Sequence, residues 1–538
     1  MANKHLIGKQ ILEVEVNSSD RIYTIQQTVS ELVRKDLLPK LTIMFDEIVG
    51  EDEVISLDRI ELDIGHINLN SRRHIDEIVT KIIKLLEEKI QEILKNSNLE
   101  SETLKIKNKN DNSFGLNGDS HYRKQKESSK RYFKDKSNIK NKNIEKDQKL
   151  RNNNRQSLRR YYFDLWLYWL EKGRLPPYTI QPEEDWMPLI LETLGLDIDA
   201  VTILENKLRK HPIALKRLVL QHTAKDLKSV VELYTGFSQN KLLDLCKEVE
   251  LLFEDISPKM SIHQRTLEID IWEHIFKMVI LDRKKLESLL LGIEVIKLPS
   301  VSLIIKESDI RKIIKTESGN RFSFLHEILQ QETQKYQEEK ETSLLKDDEE
   351  IDNFIDEDTE NEDILYNEEQ LESPQFFSNT GIVLLHPFLN SFFRNLELLE
   401  GKDFIDFNAR SKAVMLLHFL ATAEETPKEY EMVLPKFLCE MPVNMPLDHT
   451  VELTKQEKEE ANNLLQAVIE HWGVLGGTSP DGLREGFLMR EGKLEKEQTG
   501  WKLFVEQKTL DILLDRLPWN LSLIKLPWMK EILRVEWR

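Results

Sequence analysis

The residues best suited to chemistry in this chain are its histidines and carboxylates, and their spacing is unhelpful to catalysis. His386, His418, His449 and His471 all fall in the last third of the chain. None stands at the short interval that would place two imidazoles on one helix face for a zinc ion, so each reads as a packed or surface histidine. Asp58, Glu61 and Asp63 lie close together, but Glu61 and Asp63 alternate with Ile60, Leu62 and Ile64. That pattern reads as the solvated face of a strand rather than a cation site. Among 95 acids, no carboxylate pair is singled out for glycosidase-type acid–base work. The stretch Gly476-Gly-Thr-Ser-Pro-Asp-Gly482 lacks the lysine of a phosphate-binding loop and contains a proline that removes an amide. It reads as a turn. There is no G-x-S-x-G elbow and no H-E-x-x-H helix. Two cysteines, Cys246 and Cys439, cannot build a disulfide framework or a cysteine-rich zinc site. The expectation is a protein without catalytic residues, cofactor or metal.

The elements that position these residues are set out unevenly along 538 residues, enough for three or four folded units at about 150 residues each. The net charge of −19 argues against general nucleic-acid binding. No apolar run reaches the ~18–20 residues that span a bilayer, and Met1–Gln10 lacks a signal-peptide core. A soluble protein of a reducing cytoplasm is expected. From Lys105 to Arg160 there are 18 Lys or Arg against 6 Asp or Glu. From Glu338 to Glu372 the sign reverses, with 17 acids against 2 lysines. Neither tract holds enough apolar surface to offset the entropy of ordering it, so both read as flexible linkers.

Between the tracts, hydrophobic periodicity predicts a predominantly helical α+β protein in five segments. Residues 1–95 form a small α+β module, 96–157 a basic linker, 158–335 a helical middle domain, 336–376 an acidic linker and 377–538 an α+β C-terminal module. In the first module, alternation at Leu12, Val14 and Val16 and at Ile60, Leu62 and Ile64 predicts two strands. Ile25 to Leu37 predicts a helix whose pattern Pro39 interrupts, and Ile75 to Leu94 a long amphipathic helix. In the middle, the aromatic run Tyr161–Leu170 predicts a helix ended by Gly173 and Pro176-Pro177. Segments 214–220, 229–234 and 269–281 keep helical spacing, and 327–340 predicts a helical exit. In the last module, Gly492–Glu497 and Trp501–Glu506 predict a hairpin, Leu510–Leu517 a helix, and Leu521–Leu526 and Ile532–Trp537 strands. Leu-Pro-Trp recurs at Leu517-Pro518-Trp519 and Leu526-Pro527-Trp528, its tryptophans expected in the core.

The last module resembles the C-terminal region of contractile injection system tape measure proteins. The resemblance starts at Thr380-Gly-Ile-Val-Leu-Leu-His386-Pro387-Phe-Leu389 and continues through Leu416–Thr422 and Glu429–Cys439, which holds Pro435. It runs on through His471-Trp472, Thr478-Ser-Pro480-Asp481-Gly482-Leu-Arg484 and Phe487–Gly492. It closes on Asp515–Trp519 with Pro518 and Trp519, and Ile524–Met529 with Pro527 and Trp528. His5–Gln10 and Leu57–Gly65 are similar to the family's N-terminal region. Tyr168–Pro177 is similar to its Leu-x-x-Gly-x-Leu-Pro-Trp element, with Pro177 in place of the tryptophan.

The resemblance implies a structural assembly role in phage-tail-like particles, in which the chain lies in the tube lumen and sets tube length. It implies the inner tube, the baseplate hub or spike and the tube-terminating cap as partners, while the acidic balance leaves no nucleic acid among the expected ones. It also implies assembly in the cytoplasm followed by residence in the particle. The twelve positions named above would serve structure or interface. A baseplate adaptor or assembly chaperone that never enters the tube is the alternative, and a cell-wall hydrolase a third class without a catalytic constellation behind it. Wholly helical, the chain would reach about 800 Å at ~1.5 Å per residue, which the folded ends must shorten. Limited proteolysis of the isolated protein is expected to cut first within 105–160 and 338–372. Early cleavage within 158–334, with both tracts resistant, would contradict the segment boundaries.

Overall fold

The computed structural model describes residues 4–8, 10–15, 22–50, 52–67, 69, 71–111, 155–182, 185–256, 264–281, 286–307, 322–331, 374–498 and 500–537. The acidic tract and most of the basic tract lie outside these residues, as does 332–340 of the expected helical exit. The fold is predominantly helical, with few, short strands. It divides into two compact units, Met1–Asp164 with Tyr178–Ile190, and Leu165–Pro177 with Leu191–Arg538.

In the first unit, the helices Ile22–Glu31 and Leu38–Ile48 flank a π-helical turn, Leu32–Leu37. The wide turn brings Leu32 and Leu37, five residues apart, to one buried face. Pro39 therefore does not end the helical run. It sits in the first turn of Leu38–Ile48, where its missing N–H costs little. These side chains, with Leu41 and Met44, pack on Ile78, Val79, Ile82 and Ile90 of the helix Arg72–Asp111. The expected strands at 12–16 and 60–64 do not form. Residues 11–15 and 59–65 carry no sheet ladder, and Val16 lies outside the described residues. Alternation still sorts the second segment, since Ile60, Leu62 and Ile64 are half-buried against the helical core while Glu61 and Asp63 face out. Period two specifies which side is wet, but a strand also needs a partner edge. The strands that do pair are β1 (Glu53–Ile55) and β2 (Arg155–Ser157), antiparallel with Val54 opposite Gln156.

The aromatic helix spans Leu158–Lys172 and ends at Gly173, and its residues from Leu165 onward open the second unit. The expected helices follow as Pro212–Gln221, Ala224–Thr235 and Gln264–Phe276, the last running into a π-turn, Lys277–Leu281. Pro212–Gln221 packs on Gln264–Phe276, and Asn240–Ile256 packs on Ser288–Ile296 and Pro299–Glu307. Residues 323–331 form a helix whose first turn is held by Glu248, its carboxylate accepting from the Phe324 N–H (3.1 Å) and the Leu325 N–H (2.6 Å). Among the described residues no single helix is long and apolar enough to cross a membrane.

Toward the C-terminus, a fully buried 3-10 turn, Thr380–Leu385, leads into the helix His386–Asn395. The helix Phe407–Thr422 is buried on nearly all sides from Ser411 to Ala421, as an all-round apolar helix must be. One five-stranded sheet covers this core, built from β3 (Gln375–Phe377), β6 (Gly492–Glu497), β7 (Gly500–Val505), β8 (Leu523–Ile524) and β9 (Leu533–Glu536). A small hairpin of β4 (Leu399–Glu400) and β5 (Asp403–Phe404) stands apart from it. The sheet order is β3-β6-β7-β9-β8, antiparallel except for β7 beside β9. The expected hairpin is β6–β7, and the last two expected strands shrink to β8 and β9. The helix expected at 510–517 is the 3-10 segment Thr509–Arg516.

Gly381 shows how tightly the 3-10 turn is pressed on its neighbours. A Cβ there would lie 1.7 Å from the Phe487 carbonyl oxygen, whereas one on Gly473 would meet nothing within 4 Å. Gly381→Ala is therefore expected to lower the stability of this unit by roughly 3 kcal/mol or more, because backbone cannot yield as a side chain can. Gly473→Ala should change it by less than about 0.5 kcal/mol. Urea denaturation of the two variants beside wild type measures both.

Candidate functional site

The most demanding polar arrangement in the second unit is a buried group of three charges. Arg217 comes from the helix Pro212–Gln221, where spacing three residues beyond Ala214 places it on the apolar face. Glu429 comes from the 3-10 turn Glu429–Glu431, and Lys436 from the short helix Val433–Leu438. All three side chains are withdrawn from solvent. Arg217 Nε donates to Glu429 Oε2 at 2.8 Å, and Lys436 Nζ donates to Glu429 Oε1 at 2.6 Å. The remaining donors find backbone. Arg217 reaches the carbonyls of Leu170 and Asn444, and Lys436 those of Val443 (3.3 Å) and Met445 (2.8 Å). The Leu447 N–H completes the ring by donating to Glu429 Oε1 at 3.4 Å.

Two cations share one carboxylate here, a net positive charge in a dry interior, so the carbonyl oxygens are needed to complete its solvation. Burial pushes the Lys436 ammonium down to about 8 against the pull of Glu429. Its three protons match three acceptors, which leaves none to meet a substrate. The arrangement clamps rather than catalyses. It ties three stretches far apart in sequence, the aromatic-helix end, the helix of Arg217 and the loop 442–447. Next to it, Gln221 Nε2 donates to the Leu447 carbonyl at 2.6 Å, the His449 N–H donates to the Leu220 carbonyl at 3.1 Å, and Arg265 grips Asp448 through two bonds of 2.9 and 3.0 Å.

Gly173 is what lets the clamp close. Its φ of +71° suits glycine, and a Cβ there would stand 2.5 Å from the Val443 oxygen and 2.7 Å from Arg217 Nη2. The glycine of the Tyr168–Pro177 element is thus the seat of the Arg217 guanidinium.

A family model of the contractile injection system tape measure protein matches residues 4–537. The chain belongs to that family. No curated protein and no solved structure matches it.

Within this family member, the twelve expected positions separate into distinct packing joints and converge on no common pocket. His386 and Pro387 open the helix His386–Asn395, with His386 Nδ1 at 3.0 Å from the Val383 oxygen. Burial holds that imidazole below its ordinary range. Trp519 reaches the same joint, donating to the Leu384 carbonyl at 3.1 Å and meeting Phe388 edge-on at 5.2 Å. Trp528 donates to the Leu438 carbonyl at 2.8 Å, at the end of the helix that holds the buried Pro435, and packs on Phe404 at 5.1 Å. Trp472 is wholly buried against Phe487 at 4.8 Å.

Pro480, Asp481 and Gly482 form the short helix before Arg484, whose first turn Ser479 caps at the Gly482 N–H (3.1 Å). Arg484 then joins three elements, through Asp481 (2.7 Å), the Asn462 side chain (2.9 Å) and the Leu420 carbonyl (3.1 Å). Pro518 and Pro527 are exposed and follow the 3-10 segment Thr509–Arg516 and the strand β8. Asp58, Glu61 and Asp63 are exposed, as read from their alternation.

Sequence reasoning missed Arg217, Glu429 and Lys436 as a group. The available signal was a cation inside an apolar pattern, at position 217 and again in Val433–Leu438. Replacing Glu429 by Gln leaves two buried cations without their counter-ion and is expected to cost about 3–5 kcal/mol. The pH dependence has a definite sign. Between about 8 and the ordinary lysine value of 10.5, the unfolded chain binds a proton at Lys436 that the folded chain has released. This residue's contribution to stability therefore rises with pH across that window. Urea midpoints of wild type and Lys436→Met, taken at steps between those values, should show wild type gaining on the variant. A flat difference would place the ammonium outside a dry environment.

Proposed function

We propose that the chain is the ruler of its particle. In this reading it lies in the inner-tube lumen, sets tube length, and engages the baseplate hub or spike at one end and the tube-terminating cap at the other. The match that runs from residue 4 to residue 537, across both charged tracts, carries this reading. The tracts suit a variable span, because their composition holds little apolar surface and loop length costs little entropy. The joints of the C-terminal module suit an anchor that bears load, because Trp519, Trp528 and Arg484 are each bonded across elements. The five segments read from the sequence take these roles, with 1–95 and 377–538 as the end modules. The protein acts by occupying length and binding neighbours, without catalysis. It assembles in the cytoplasm and is then carried inside the particle.

Deleting 30 residues within 112–154, or within 342–371, is expected to give particles uniformly shorter by about 45–105 Å. The lower figure applies if the lost span is helical and the upper if it is extended. Deletion within the C-terminal module should abolish tubes or scatter their length. Negative-stain microscopy of particles shown to carry the shortened chain reads the result. Tubes of unchanged length after either tract deletion would favour the adaptor role.

A further inference from the structure

Of the four histidines in the C-terminal region, three satisfy Nδ1 with a backbone carbonyl. His386 meets Val383 at 3.0 Å, His449 meets Leu220 at 2.6 Å and His471 meets Ala467 at 2.9 Å. His418 is different. It is 2% exposed on the core helix Phe407–Thr422, and its Nδ1 has no hydrogen-bond partner. Its Nε2 lies 3.4 Å from Glu424 Oε2, long for a hydrogen bond. Glu431 completes a group in which each of the three residues presents a ligand atom within 4.8 Å of the others.

We propose that His418, Glu424 and Glu431 bind one divalent transition-metal cation, with Zn2+ the best match, which staples the start of the loop after the core helix to the turn Glu429–Glu431. The geometry fits. Two ligands each ~2.1 Å from a tetrahedral cation stand about 3.4 Å apart, the separation seen between His418 and Glu424. Glu424 is half exposed, and the third ligand atom, on Glu431, lies within 4.8 Å of the other two. One imidazole with two carboxylates suits zinc better than magnesium or calcium, which prefer oxygen alone. The Lys428 backbone N–H already holds Glu431 Oε2 at 3.0 Å.

The staple has a structural consequence. The turn that sends Glu431 toward His418 sends Glu429 inward to Arg217 and Lys436. A cation on one side of the turn would stiffen the clamp on the other. The site does not depend on where the protein sits in a particle.

The test uses the full-length chain stripped with chelator and titrated with ZnCl2 by calorimetry, with Glu424→Gln and Glu431→Gln beside it. Wild type is expected to show one more tight Zn2+ equivalent than either variant, with affinity at the site falling at least tenfold in each. Zn2+ should raise the melting temperature of wild type and leave Glu424→Gln unmoved, while MgCl2 at the same concentration shifts neither. Isotherms identical in wild type and both variants would mean adventitious binding to other histidines only, and would overturn the site. Should a variant fail to fold, Co2+ added to wild type decides alone. Visible bands of a tetrahedral nitrogen–oxygen site support the staple, and their absence overturns it.

Discussion

Two cations and one carboxylate sealed from water set the terms for much of the second unit. Arg217, Lys436 and Glu429 cannot be solvated by one another alone, so the fold must deliver backbone carbonyls from Leu170, Val443, Asn444 and Met445 to the same place. That requirement explains a glycine at 173, where any side chain would strike the guanidinium. It also explains why the loop 442–447 is held although it has no regular structure. Such a cluster adds little net stability over an apolar core of the same volume. What it imposes is register, since a misdocked arrangement would leave a bare charge in a dry site.

The family-signature residues have a related logic. Trp519 and Trp528 each place an indole N–H on a carbonyl that ends a buried element, Leu384 in one case and Leu438 in the other. Arg484 does the same for Leu420 while pairing with Asp481 and Asn462. Each is a large apolar body with a polar tip, suited to the ends of helices where carbonyls lack partners. A motif made of such residues is a record of how the core is tied together. Arg490 and Asp511, a further buried pair at 3.0 Å, extend the same scheme to the segment after the hairpin.

Charge is partitioned along this chain by what each segment can bury. Folded stretches keep a few ionised groups inside and bond them through, as at Arg217 and Glu248. The tracts at 105–160 and 338–372 each carry a large excess of one sign. A protein proposed to span a tube needs both behaviours, because an anchor must resist displacement and a spacer must tolerate changes of length.

The sequence by itself determined the fold class, the long amphipathic helix from Ile75, the aromatic helix ended by Gly173, the β6–β7 hairpin and the family. All of these rest on local periodicity, turn chemistry or ordered motifs, which are written within a few residues or in linear sequence. It misjudged the extended segments 11–15 and 59–65, since alternation specifies a wet side and a dry side but not whether another edge is present to pair with. The interruption it read at Pro39 is a π-turn just before the proline, after which the helix resumes. Only the tertiary structure decided that Arg217 meets Glu429, 212 residues away, and that His418 faces Glu424 and Glu431. The physical reason is the same in each case. A charge on an apolar face announces that it needs a partner, but which partner depends on distances that exist only once the chain has closed on itself.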